Sequence, residues 1–160
     1  MALSISSPAF VNDGSVPRQY TCDGTNVSPP LQWSGVPSDA KSLVLIVEDP
    51  DAPDPEAPKT TWIHWILYNI PPSIHELPAD LARHGMPAGA LDGLNDWLKT
   101  GYGGPCPPIG THRYFHRLYA LSAVLPDLQR PRRSTLMQAM HGKVLAEAAL
   151  VGLYARRSAR

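Results

Sequence analysis

Proline constrains this chain more than any other residue. There are 18 prolines among 160 residues, many of them clustered: Pro29-Pro30, Pro50 to Pro58, Pro71-Pro72 and Pro105 to Pro108. Proline has no amide proton and breaks both helices and central strands. The chain is therefore cut into short segments joined by stiff loops, and its regular elements must fit between the clusters.

Two segments survive uncut and read as strands. Over residues 42–49, Leu43, Val44, Leu45, Ile46 and Val47 run without alternation, which predicts a strand buried on both faces. Residues 62–70 are rich in β-branched and aromatic side chains and predict a second. Further strands are expected over 3–10, 18–22, 31–33, 111–124 and 150–154, with loops over 50–60 and 102–110. Residues 73–98 carry Gly85, Pro87, Gly89 and Gly93 and read mostly as loop, a length that usually borders a function. Leu136, Met140, Val144 and Ala148, with Met137 and Leu145, recur at helical spacing and predict one amphipathic helix over 132–148. Many strands with one late helix imply antiparallel sheets packed face to face, an all-β sandwich formed by a single domain over 1–160.

Lys plus Arg and Asp plus Glu balance at 14 each, which argues against general nucleic-acid binding. No stretch approaches the roughly 18 apolar residues of a membrane helix, and the first ten residues do not read as a signal peptide, so the cytoplasm is the expected location. In that compartment the two cysteines, Cys22 and Cys106, are expected to stay unpaired. Arg156, Arg157 and Arg160 read as a solvated basic tail.

Chemistry concentrates in two segments and one strand residue. Asp49 and Asp51 follow the first buried strand; in an extended chain both carboxylates face one way, raising one pKa or recruiting a cation or donor, whereas the plainer reading is a polar turn. His64 lies among Trp62, Ile63, Trp65 and Ile66, where a hydrogen-bonded core histidine is the ordinary outcome. Residues 103–114 form a Gly-Pro loop feeding a strand, along which His112, Tyr114 and His116 alternate with Arg113, Phe115 and Arg117. Glycine lets such a loop approach a ligand, its free amides can cradle an anion, and proline lowers the ordering cost. An extended strand does not suit His112 and His116 as a metal pair, and there is no GxSxG, CxxC or HExxH sequence. Cys106 is flanked by prolines, and nothing local lowers its pKa.

The segments Asp49-Pro50-Asp51-Ala52-Pro53 and Gly104-Pro105-Cys106-Pro107-Pro108-Ile109-Gly110-Thr111-His112-Arg113-Tyr114 resemble the two signatures of the phosphatidylethanolamine-binding protein family, also called Raf-kinase-inhibitor-like. Ser7-Pro8-Ala9-Phe10, Tyr20-Thr21-Cys22-Asp23-Gly24, His64-Trp65, Tyr68-Asn69-Ile70-Pro71 and Leu150-Val151-Gly152-Leu153-Tyr154 extend the similarity to its bacterial and archaeal branch. The resemblance implies a β-sandwich of two antiparallel sheets with a C-terminal-region helix and short peripheral helices. It also implies a pocket for phosphate-like anions at Asp49, Asp51, Pro53, His64, Gly104, Pro105, His112 and Tyr114. Arg113 is expected to point away from His112 into a structural ion pair. No cofactor is implied. The expected partners are phosphate or a phosphorylated small molecule or lipid head group, a regulated kinase or protease, and a second copy in a homodimer. His64 and His112 would donate to the anion together with amides of the Gly104 loop, more strongly below roughly pH 6.5. The alternative is a phosphoester or ester hydrolase using the Asp/His pocket.

Overall fold

A computed structural model describes residues 1–156. The elements run β1 (Ser4–Ser6), β2 (Gly14–Ser15), a 3-10 turn (Arg18–Tyr20), β3 (Leu31–Ser34), β4 (Ser42–Ala52), β5 (Thr60–Ile70), β6 (Glu76–Leu77), α1 (Leu81–His84), β7 (Leu91–Asp92), β8 (His112–Leu121), α2 (Arg133–Met140) and β9 (Val144–Tyr154). They form a three-stranded sheet, β1-β3-β6, and a six-stranded sheet, β2-β9-β8-β4-β5-β7. All pairings are antiparallel except β2 with β9. The fold is all-β with minor helices, as expected.

The unbroken apolar run of β4 is explained by two cores. Leu43, Leu45 and Val47 join Trp65 and Leu67 of β5 and Leu118 of β8, with Ile5, Leu31 and Trp33 from the small sheet. Val44 and Ile46 face the other way, where Ile66, Tyr68 and Tyr119 meet Leu136 and Met140 of α2. Glu48 fastens that helix electrostatically: its buried carboxylate accepts from Arg117 Nε (3.1 Å) and from Arg133 Nε (2.7 Å).

Four expectations need correction. The helix expected over 132–148 ends at Met140; Gly142 takes a left-handed conformation and the chain returns as β9, paired with β8 along its length. Spacing of four is shared by a helix face and a strand face, so Val144 and Ala148 fit both patterns. The strand expected over 18–22 is a 3-10 turn followed by a loop. Cys22 and Cys106, expected to stay unpaired, are joined in a disulfide, with their Cα atoms 5.4 Å apart. Arg156 is also held: its guanidinium donates to Asp23, whose other oxygen accepts from Tyr154 O–H. Arg157 and Arg160 lie outside the described residues. Among the described residues no helix is long and apolar enough to cross a membrane.

Candidate functional site

The ends of β4, β5 and β8 converge with the 95–110 loop around a pocket of about 340 Å³. Strand alternation selects what β8 contributes: His112, Tyr114 and His116 are buried, while Arg113 is exposed and Phe115 and Arg117 are half-buried.

Asp49 and Asp51 separate instead of acting together. The β4–β5 register shifts between Asp49 and Ala52, and the Asp51 amide donates to Asp49 Oδ1 at 2.7 Å. Asp51 then turns to Arg113, accepting from Nη2 at 2.8 Å, from Nε at 3.0 Å and from the backbone amide at 2.9 Å. The guanidinium holds the Asp51 carboxyl below its ordinary range, against the effect of its burial. The Asp49 carboxyl moves the other way, because burial penalises its charge more than its hydrogen bond with His112 favours it. Arg113 thus forms the structural ion pair anticipated for it.

His112 Nδ1 lies 2.6 Å from Asp49 Oδ2, and its Nε2 lies 2.9 Å from the Ile109 carbonyl and 3.1 Å from that of Pro53. A carbonyl only accepts, so Nε2 carries a proton and donates it within the protein. His112 therefore seals one wall of the pocket and is not a free donor for a ligand.

His64 sits in the middle of β5. Its Nδ1–H donates to the Gly103 carbonyl (2.7 Å), and Gly103 N–H donates back to the His64 carbonyl (3.0 Å). Trp97 and Tyr114 meet its ring edge-on, at centroid distances of 5.1 and 5.2 Å, and Trp62 meets Trp97 at 5.6 Å. Burial pushes the His64 pKa down to about 4, so the ring is neutral at the pH where the sequence suggested a charged donor.

The Gly-Pro loop spends its polar groups on scaffolding. Gly104 N–H donates to Asn26 Oδ1 (2.8 Å), and Cys22 N–H donates to the Pro105 carbonyl (3.1 Å) beside the disulfide. A Cβ on Gly104 would overlap the Tyr20 carbonyl, and one on Gly103 would overlap the Trp97 ring. These glycines serve close packing of chain on chain.

Of the eight site residues expected from the sequence, Asp49, Pro53, His64, His112 and Tyr114 line the pocket, while Asp51, Gly104 and Pro105 do not. The lining also includes Ala52, Trp62, Trp97, Cys106, Pro107 and Pro108. Trp62 lies two residues before His64 on one strand, a spacing that could have found it. Trp97 comes from the long segment 73–98 that reads mostly as loop, and no local signal marks it. Among the described residues two buried polar side-chain atoms have no partner, Trp62 Nε1 and Tyr114 Oη, and both belong to residues of this pocket. Among the described residues no group of three or more His, Cys, Asp or Glu is placed to hold a metal ion.

The profile of the family described as phosphatidylethanolamine-binding protein matches residues 6–155. The chain belongs to that family. Among its relatives is a UPF0098 protein from Methanothermobacter thermautotrophicus, 48% identical over 155 residues that cover 96% of this chain and 99% of the relative. The crystal structure of the phosphatidylethanolamine-binding protein homologue CT736 from Chlamydia trachomatis superposes with a TM-score of 0.88 at 42% identity, covering 97% and 98% of the two chains. E. coli YbcL, presented as a new member of the mammalian family, gives a TM-score of 0.87 at 30% identity, covering 98% and 100%.

Proposed function

We propose that this member of the phosphatidylethanolamine-binding family binds a small oxyanion of the phosphate class in the pocket between Pro53 and Tyr114. The observation that carries the reading is the pair of orphaned donors, Trp62 Nε1–H and Tyr114 O–H. A buried donor without a partner costs about 1–3 kcal/mol, and a ligand acceptor that reached either one would remove that cost. The family description names a phosphate-bearing lipid, which fits an acceptor-rich head group. The aromatic faces of Trp62 and Trp97 offer apolar surface to whatever the head group carries. Binding is favoured over hydrolysis on one point of chemistry: Cys106 is consumed by the disulfide and offers no thiolate.

The test is an NMR titration with phosphoethanolamine that follows the indole N–H signals. The expected result is a saturable shift of the Trp62 indole, with affinity lowered about fivefold to tenfold in Tyr114→Phe, the worth of one hydrogen bond. An indole signal that stays fixed at millimolar ligand would remove this pocket as the site.

A further inference from the structure

The face of the large sheet that turns away from the pocket carries a charge arrangement of its own. Strand alternation brings Glu48 of β4 and Phe115, Arg117 and Tyr119 of β8 to that face, beside the start of α2. The Glu48 side chain is 5% exposed, and two guanidiniums share it. Arg117 Nε donates to one carboxylate oxygen at 3.1 Å and Arg133 Nε to the other at 2.7 Å. One negative charge therefore holds two positive ones. Among the described residues neither arginine has a second carboxylate partner, and the Nη groups of both make no hydrogen bond within the protein. The two side chains are 31% and 37% exposed, open enough to meet a solute and covered enough that its charge is incompletely screened.

Both guanidiniums are held in place before any ligand arrives. Arg117 lies over the Phe115 ring at 4.4 Å, and Arg133 is fixed to the first turn of α2. The cost of ordering two long side chains is thus already met by the fold. Tyr119 adds a hydroxyl. Burial pushes its pKa up, so it keeps its proton, and the charges that act on it are Arg117, Glu48, Glu147 and Arg133. Among the described residues that hydroxyl has no hydrogen-bond partner, and Glu147, opposite Tyr119 in the β8–β9 register, is exposed and forms no ion pair with either arginine. The unspent groups are therefore two guanidinium forks and one O–H, donors only, with one positive charge in excess. A tetrahedral oxyanion matches this set: two oxygens for the planar forks and a third for the hydroxyl.

We propose that Glu48 organises Arg117 and Arg133, with Tyr119, into a second anion site that takes a phosphoryl group on the outer face of the large sheet. It shares no residue with the pocket, so either site can fail alone. The experiment is an NMR titration of the intact chain with inorganic phosphate at fixed ionic strength, following the arginine Nε–H and tryptophan indole signals. The expected result is a saturable shift of the Arg117 and Arg133 Nε–H signals that Tyr114→Phe leaves unchanged. Arg133→Gln should lower this affinity at least about tenfold, the loss of a charge-assisted fork, while Arg83→Gln on exposed α1 should not alter it. Glu147→Gln removes a like charge beside the site and should tighten binding about twofold to threefold; if Arg133→Gln does not fold, this variant and the unaltered chain still decide. Glycerol 3-phosphate separates two sources of the group: affinity equal to that of phosphate supports a phosphoryl group on a carrier, and lost affinity supports the free ion. Arginine signals that stay fixed at millimolar phosphate, or that move equally with chloride, overturn the second site. A shift confined to the Trp62 indole does the same while leaving the pocket reading intact, and arginine shifts with a fixed indole support this site at the pocket's expense.

Discussion

Arg113 and Asp51 meet through two side-chain hydrogen bonds and one from the backbone, and this pair explains why two neighbouring aspartates behave differently. In an extended chain the spacing puts both on one face; the plainer reading, a polar turn, is the one that the Asp51 amide's bond to Asp49 Oδ1 fits. A register shift separates them, sending Asp51 to an exposed guanidinium and leaving Asp49 with His112. Replacing Arg113 with Ala leaves the buried Asp51 carboxylate short of donors and should cost about 1–3 kcal/mol in a urea-unfolding measurement. The Asp51 carboxyl is held below its unfolded value by Arg113, so the contribution is fully present above about pH 4 and is lost as pH falls further. The difference between the unaltered chain and Arg113→Ala should therefore shrink in acid. His64 carries the complementary lesson. Its burial in an apolar strand was legible, and it suits a neutral hydrogen-bonded residue; that the same ring also borders a cavity was carried only by the family resemblance.

At the scale of elements, the 101–106 segment behaves as an inextensible strap. Tyr102 O–H donates to the Tyr20 carbonyl (2.6 Å), Gly104 N–H reaches Asn26, and Cys106 is bonded to Cys22. The Cys22–Cys106 link closes a sequence separation of 84 residues, long enough for cross-linking to reduce the freedom of the unfolded chain substantially. Substituting both cysteines by Ser should lower stability by about 2–5 kcal/mol, read from denaturant midpoints of the oxidised protein and the variant. Because hydrogen bonds at Tyr102, Gly103, Gly104 and Pro105 also hold the strap, phosphoethanolamine binding should survive in the folded variant with less than a tenfold loss. Cysteine pairing is not legible in the sequence because compartment and composition are statistical arguments, whereas a bridge depends on the fold bringing two Cα atoms close, here to 5.4 Å. The late helix was overextended for a related reason. Its apolar spacing continued past Gly142, but partners for residues 144–154 were waiting in β8.

Across the whole molecule, the two core layers on either side of the large sheet enclose two histidines whose charge the fold does not tolerate. Burial pushes both His64 and His116 down to about 4 from an ordinary value of 6.5. Between those values the unfolded chain takes up protons that the native protein refuses, so stability should fall as pH is lowered from about 6.5 to about 4. The loss is on the order of 3 kcal/mol for each histidine. The rise of the Asp49 carboxyl has the opposite sign and offsets part of this loss. Urea midpoints at a series of pH values should show that acid limb, and His116→Gln, which removes one buried titrating ring, should make it about half as steep. By itself the sequence determined the class of fold, the doubly buried strand β4, the alternation along β8 and the two segments that surround the pocket. Those features rest on local chemistry: proline placement, apolar runs and a period of two. Only the tertiary structure decided that Asp51, Gly104 and Pro105 leave the cavity, that Trp62 and Trp97 enter it, and that His112 and the Gly104 amide are already satisfied within the protein. A hydrogen bond is shared between partners that are 39, 63 or 78 residues apart here, and which donors remain for a ligand is known only after every such pair has formed.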